Sequence, residues 1–144
     1  MIKRSATGLF ILMIAVLAAT FVWVQSGTCD GILEGKLIDG GGWFTYTRCT
    51  SGRQWISHST EAFATPAKAH SVFEDRIGSA ITVIERNQKH GANGQTIGDR
   101  AVTISRNPET GERFAAVFWL DDRVIVSIRS TSVYYARYAE WTGE

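Results

Sequence analysis

A chain of 144 residues with 44% apolar and 20% charged side chains can bury one core and is too apolar to remain disordered. Its net charge is +1, and setting aside Lys3 and Arg4 lowers the basic count from 15 to 13 against 14 acids, a balance of −1 for the rest. A near-neutral chain without a Lys/Arg block lacks the electrostatic footprint of a nucleic-acid binder, so no nucleic-acid partner is expected.

The first element is apolar. Leu9 to Val24 reads LFILMIAVLAATFVWV, with Thr20 its only polar side chain. With Thr7 and Gly8 the run reaches 18 residues, about 27 Å of helix at about 1.5 Å per residue. The hydrocarbon core is about 30 Å thick, and Trp23 suits the headgroup boundary. Lys3 and Arg4 precede the run while Asp30 and Glu34 follow it, so the positive-inside rule keeps the N-terminus cytoplasmic. The expected organisation is a cytoplasmic tail over 1–6, a signal-anchor helix in the lipid bilayer over 7–25, and an extracytoplasmic domain over 26–144, periplasmic if the source is bacterial. A cleaved signal peptide is the competing reading. Against it, the run exceeds the usual apolar stretch of about 7–15 residues, and Ser26-Gly27-Thr28 is a poor cleavage site.

Cys29 and Cys49 are the only cysteines. An exported domain meets an oxidising compartment, where the two are expected to pair. A metal site is a poor rival, because two distant thiolates without a CxxC leave a tetrahedral ion short of ligands.

Residues 32–57 read as short strands around Gly-rich turns. Gly40-Gly41-Gly42 precedes β-prone Trp43 to Thr47 rather than a helix, which favours a hairpin loop over a phosphate cradle. Thr65-Pro66 opens a helix over about 66–77, with Phe73 and Ile77 facing the core and Gly78 as its cap. Strands are expected at 80–85, 98–105, 113–120 and 123–130, with a polar turn from Gln88 to Gly94 and a tight one at Asp121-Asp122. A last helix begins near Thr131, capped by Ser130 or Thr131, and ends about Trp141. Its Tyr134, Tyr138 and Trp141 share a stripe expected to pack on the sheet, with a sugar-stacking platform possible for any part left exposed.

The last hairpin carries the candidate site. One face holds Ala115, Val117, Trp119, Val124, Val126 and Ile128 and reads as core. The other holds Phe114, Phe118, Leu120, Arg123, Ile125, Ser127 and Arg129, aromatic but studded with charge. Either a helix or the first hairpin covers it, with Arg stems along the rings, or it faces a partner.

Catalytic patterns are sparse. His58, His70 and His90 have no ligand spacing, and Ser57-His58-Ser59 lacks the GxSxG elbow that would suggest a nucleophile. Glu74-Asp75 and Asp121-Asp122 are adjacent acids, which point apart rather than couple. No cofactor, no metal and no enzymatic activity are expected. The fold class is α+β, an antiparallel sheet of about four main strands plus a short N-terminal hairpin, with two helices on one face. In element order alone this resembles the cystatin-like and NTF2-like arrangements, and the order carries no function. The expected role is a membrane-anchored, non-catalytic accessory or interaction subunit with a protein partner in the membrane or periplasm. A small-ligand-binding module with a curled sheet is the alternative.

Overall fold

The computed structural model describes residues 27–37 and 42–142. The expected cytoplasmic tail and membrane-spanning segment lie outside the described residues, among which no helix is long and apolar enough to cross a membrane. The elements in chain order are β1 (Thr28–Cys29), β2 (Leu33–Lys36), β3 (Trp43–Ser51), β4 (Gln54–Ala62), α1 (Pro66–Gly78), β5 (Thr82–His90), β6 (Thr96–Arg106), β7 (Arg113–Asp121), β8 (Val124–Ser130) and α2 (Val133–Thr142).

These strands form one antiparallel sheet in the order β1-β3-β4-β8-β7-β6-β5, with β2 also paired to β3. An antiparallel sheet with two helices is thus present, but its N-terminal part is larger than a short hairpin. β3 and β4 are nine residues each, pair along their whole length, and join the rest through β4 and β8. Their Thr, Ser and aromatic residues favour extended backbone without the apolar alternation that marks a strand in sequence. The expected disulfide is present, linking Cys29 and Cys49 at directly opposed positions of β1 and β3.

Thr65 caps α1 as expected, its Oγ1 accepting the Lys68 N–H at 3.2 Å. The helix continues through Gly78, and Ser79 is the C-terminal cap. The cap of α2 differs from expectation: Ser132 Oγ accepts the Tyr135 N–H at 3.3 Å. Ser130 and Thr131 are occupied elsewhere, Ser130 Oγ donating to the Trp55 carbonyl at 2.9 Å and Thr131 Oγ1 bonding Gln54. The two hydroxyls fasten the end of β8 to β4 instead.

The helices lie on opposite faces of the sheet, not on one. Ala69, Phe73 and Ile77 of α1 pack with Ala101, Ala116, Phe118, Leu120 and Ile125. Ala136 and Ala139 of α2 pack with Val102, Ala115, Val117 and Ile128. Neighbouring residues of a strand point to opposite faces, so Ala115 and Ala116 belong to different cores. The unbroken apolar run Phe114 to Leu120 in β7 is what a strand covered on both sides requires.

Two boundaries shift for identifiable reasons. In the last hairpin Leu120 opposes Ile125, leaving Asp122 and Arg123 as the loop, with Asp122 at φ 51°. The displacement is an even number of residues along β8, so the assignment of side chains to faces survives. β5 runs on to His90 through residues expected in a turn. That polar strand is held by cross-strand ion pairs: Arg86 donates to buried Asp99 at 2.6 Å and also bonds Glu74, and Gln88 donates to Asp99 at 3.1 Å.

Candidate functional site

The candidate face is largely taken up by α1. Phe118, Leu120 and Ile125 are buried beneath it, Arg123 lies exposed in the β7–β8 loop, and Phe114 sits half-buried at the margin. Arg129 lies among the rings, its guanidinium 5.7 Å from the centroid of Phe114 and 5.9 Å from that of Phe118.

Beside α1, towards β2 and β3, the same face holds a cavity of about 300 Å3 lined by Leu37, Phe44, Tyr46, Ser57, Ser59, Glu61 and Arg129. Sheet register assembles it. Arg129 stands opposite Ser57, Tyr46 opposite Ser59, and Phe44 opposite Glu61. Period two then brings alternate residues of three adjacent strands to one surface. One wall offers the hydroxyls of Tyr46, Ser57 and Ser59, and Leu37 and Phe44 supply apolar surface. The two ends are a carboxylate and a guanidinium.

Those charges are unequally satisfied. Glu61 accepts two hydrogen bonds from Arg76 Nη2, at 2.7 and 2.9 Å, while Arg76 Nη1 reaches Ser127 Oγ at 3.4 Å. The acid facing Arg129 is therefore already taken. Arg129 Nε is buried and has no hydrogen-bond partner among the described residues. Burial first, and then the like charge of Arg76, push its pKa below the ordinary guanidinium value, yet an arginine keeps its proton at any physiological pH. Leaving such a donor unsatisfied costs about 1–3 kcal/mol. The cleft therefore holds one positive charge in excess of its own acid.

The remaining candidates do not converge. Ser57 and Ser59 line the cavity while His58, between them, points to the α2 face opposite Thr47 and Ile128. Alternation thus parts the imidazole from both hydroxyls. His70 sits 3.8 Å from Glu74 on α1, and His90 Nδ1 is 3.5 Å from Thr96 Oγ1. Among the described residues no group of His, Cys, Asp or Glu could hold a metal ion.

Burial lowers the pKa of His58 below 6.5. The unfolded chain then takes up a proton near pH 6.5 that the folded chain refuses, so stability falls as pH drops through that value and levels off below the folded pKa. Between pH 7.5 and 5.5 the melting temperature of His58→Gln should decline less than that of the wild type. Equal declines in thermal melts would remove His58 from this role.

The aromatic stripe of α2 faces away from the sheet: Tyr134 is 71% and Trp141 85% exposed, and Tyr138 is also exposed. Small Ala136 and Ala139 do the packing instead, because a helix seated close to a sheet has room for methyl groups and none for indoles. Trp119, on that same sheet face, is partly exposed as well, with Arg100 over its ring at 5.4 Å. Arg100 in turn binds Glu140 at 2.6 and 2.7 Å and fixes the end of α2.

Sequence reasoning missed Leu37, Phe44, Tyr46, Ser57, Ser59 and Glu61 as a group. The usable signal was Ser57, Ser59 and Glu61 at alternating positions of one β-prone segment, a polar line on one face of a strand. No family model matches this chain, and no curated protein or solved structure matches it either.

Proposed function

We propose that this chain is a non-catalytic binding module, tethered to a membrane by residues 7–25, which takes a small ligand in the cleft that β3, β4 and β8 line beside α1. One observation supports the reading: α1 covers the apolar part of its sheet face and leaves beside it an open cavity with hydroxyl, phenyl and guanidinium walls. Ligand pockets combine apolar surface with a few fixed polar groups in this way; at about 300 Å3 the volume suits a small molecule. Saturation-transfer NMR on the full chain in detergent, with a mixture of small acids, amines and neutral molecules, tests it. Some of these should bind the wild type and lose their signal in Ser59→Trp, whose indole fills the cleft. A mixture that gives the same signals with both proteins would overturn the reading.

A second reading, an accessory subunit of a membrane complex, is favoured by the exposed Tyr134, Trp141 and Trp43, since such aromatics are enriched at protein interfaces. Gentle extraction from native membranes followed by native sizing tests it. A monomer with nothing co-purifying would argue against a partner.

A further inference from the structure

Resting on the cleft reading above, we infer that the ligand is a monocarboxylic acid with a short apolar body, its carboxylate held by Arg129 and its body against Leu37 and Phe44. Three features of the cleft carry this, beginning with charge. Glu61 and Arg76 neutralise each other through two hydrogen bonds, so the surplus is the single positive charge of Arg129. One negative charge on the ligand balances it. A phosphate monoester, near −2 at neutral pH, would exceed it.

The second feature is hydrogen bonding. A guanidinium and a carboxylate pair through two parallel N–H···O bonds, and Nε–H with an Nη–H forms one such fork. Arg129 borders the cavity, and its Nε is enclosed without a hydrogen-bond partner among the described residues, so a carboxylate completes the fork when the guanidinium turns towards the cavity. Ser57, directly across from Arg129 in β4, and the Tyr46 hydroxyl can donate to the same oxygens. Amines and other cations meet no surplus negative charge, because the charge of Glu61 is balanced by Arg76.

The third feature is the apolar wall. Phe44 stands opposite Glu61 and Leu37 follows β2, which puts hydrocarbon at the end of the cavity away from Arg129. A second carboxylate at the far end of the ligand would lie against that hydrocarbon and lose its hydration. Dicarboxylates are therefore disfavoured, and a short alkyl or aryl acid fits best.

Titrations of the full chain in detergent with sodium hexanoate, hexanol, hexylammonium, adipate and inorganic phosphate, followed by NMR shifts and thermal melting, test the assignment. Hexanoate should bind most tightly. Arg129→Gln should weaken it tenfold or more while leaving hexanol unchanged. Thermal melts of Arg129→Gln without ligand report whether it folds, since the change also removes the guanidinium from the Phe114 and Phe118 rings. Arg129→Lys keeps the charge without the fork and should also weaken hexanoate by about tenfold; it serves if the Gln variant fails to fold. Unchanged hexanoate affinity in the folded Arg129 variants would overturn the assignment. So would tighter binding of phosphate, adipate or hexylammonium than of hexanoate. If hexanol binds in a Ser59→Trp-sensitive way and hexanoate does not, the carboxylate inference falls and the cleft reading stands. If no probe distinguishes wild type from Ser59→Trp, both fall.

Discussion

Glu61→Gln should destabilise the domain by about 1.5–3 kcal/mol, the usual worth of hydrogen bonds to charged groups, since its pair with Arg76 is partly buried. The carboxylate accepts both bonds from Arg76 and faces Arg129. Its loss leaves two guanidinium groups close together without an acid between them. The amide can still accept one hydrogen bond, so the change isolates charge from shape. Urea melts of both proteins measure it, and the double variant Glu61→Gln with Arg129→Gln should recover part of the loss, because it removes the like-charge repulsion. A midpoint unchanged from wild type would mean that water already screens the pair.

Phe73→Ala should cost about 3–5 kcal/mol, a large share of the 5–15 kcal/mol expected of a small domain. Phe73 is fully buried and packs on the α1 side with Phe63, Ala101, Ala116, Phe118 and Leu120. Arg86 lies 5.9 Å from its ring, so the truncation also removes the apolar floor beneath the Arg86, Glu74 and Asp99 cluster. Thermal melting followed by circular dichroism measures the effect. A loss below about 1 kcal/mol would show that α1 can settle into the space.

The two predictions concern parts of the fold that were unequally legible in sequence. Thr65-Pro66 and the spacing of Ala69, Phe73 and Ile77 announced α1 because capping chemistry and helical period are local signals. The β5–β8 meander was visible for the same reason, in β-prone apolar segments between turn-forming residues. The side of the sheet each helix would cover was not local. It depends on which parity of β7 faces which helix, and β7 is apolar at both parities. The stripe of Tyr134, Tyr138 and Trp141 was misleading because periodicity reveals a face without saying whether the sheet or the solvent receives it. Glu61 and Arg76 lie 15 residues apart on different elements, as do Arg129 and Ser57 at a greater distance. Such juxtapositions arise only when β8 is laid beside β4, after the intervening residues have been threaded through a helix and three strands.

The bond between Cys29 and Cys49 also sets the mechanics of the domain. Two residues of β1 pairing could be peeled from the edge by modest force. With the sulfurs joined, a pull on the chain before residue 29 bypasses that pairing and enters β3 at Cys49, opposite Ile56 of β4. From there the load falls on β3, which pairs along all nine residues with β4. A pull on the chain before residue 29 would therefore not unravel the domain from its first strand.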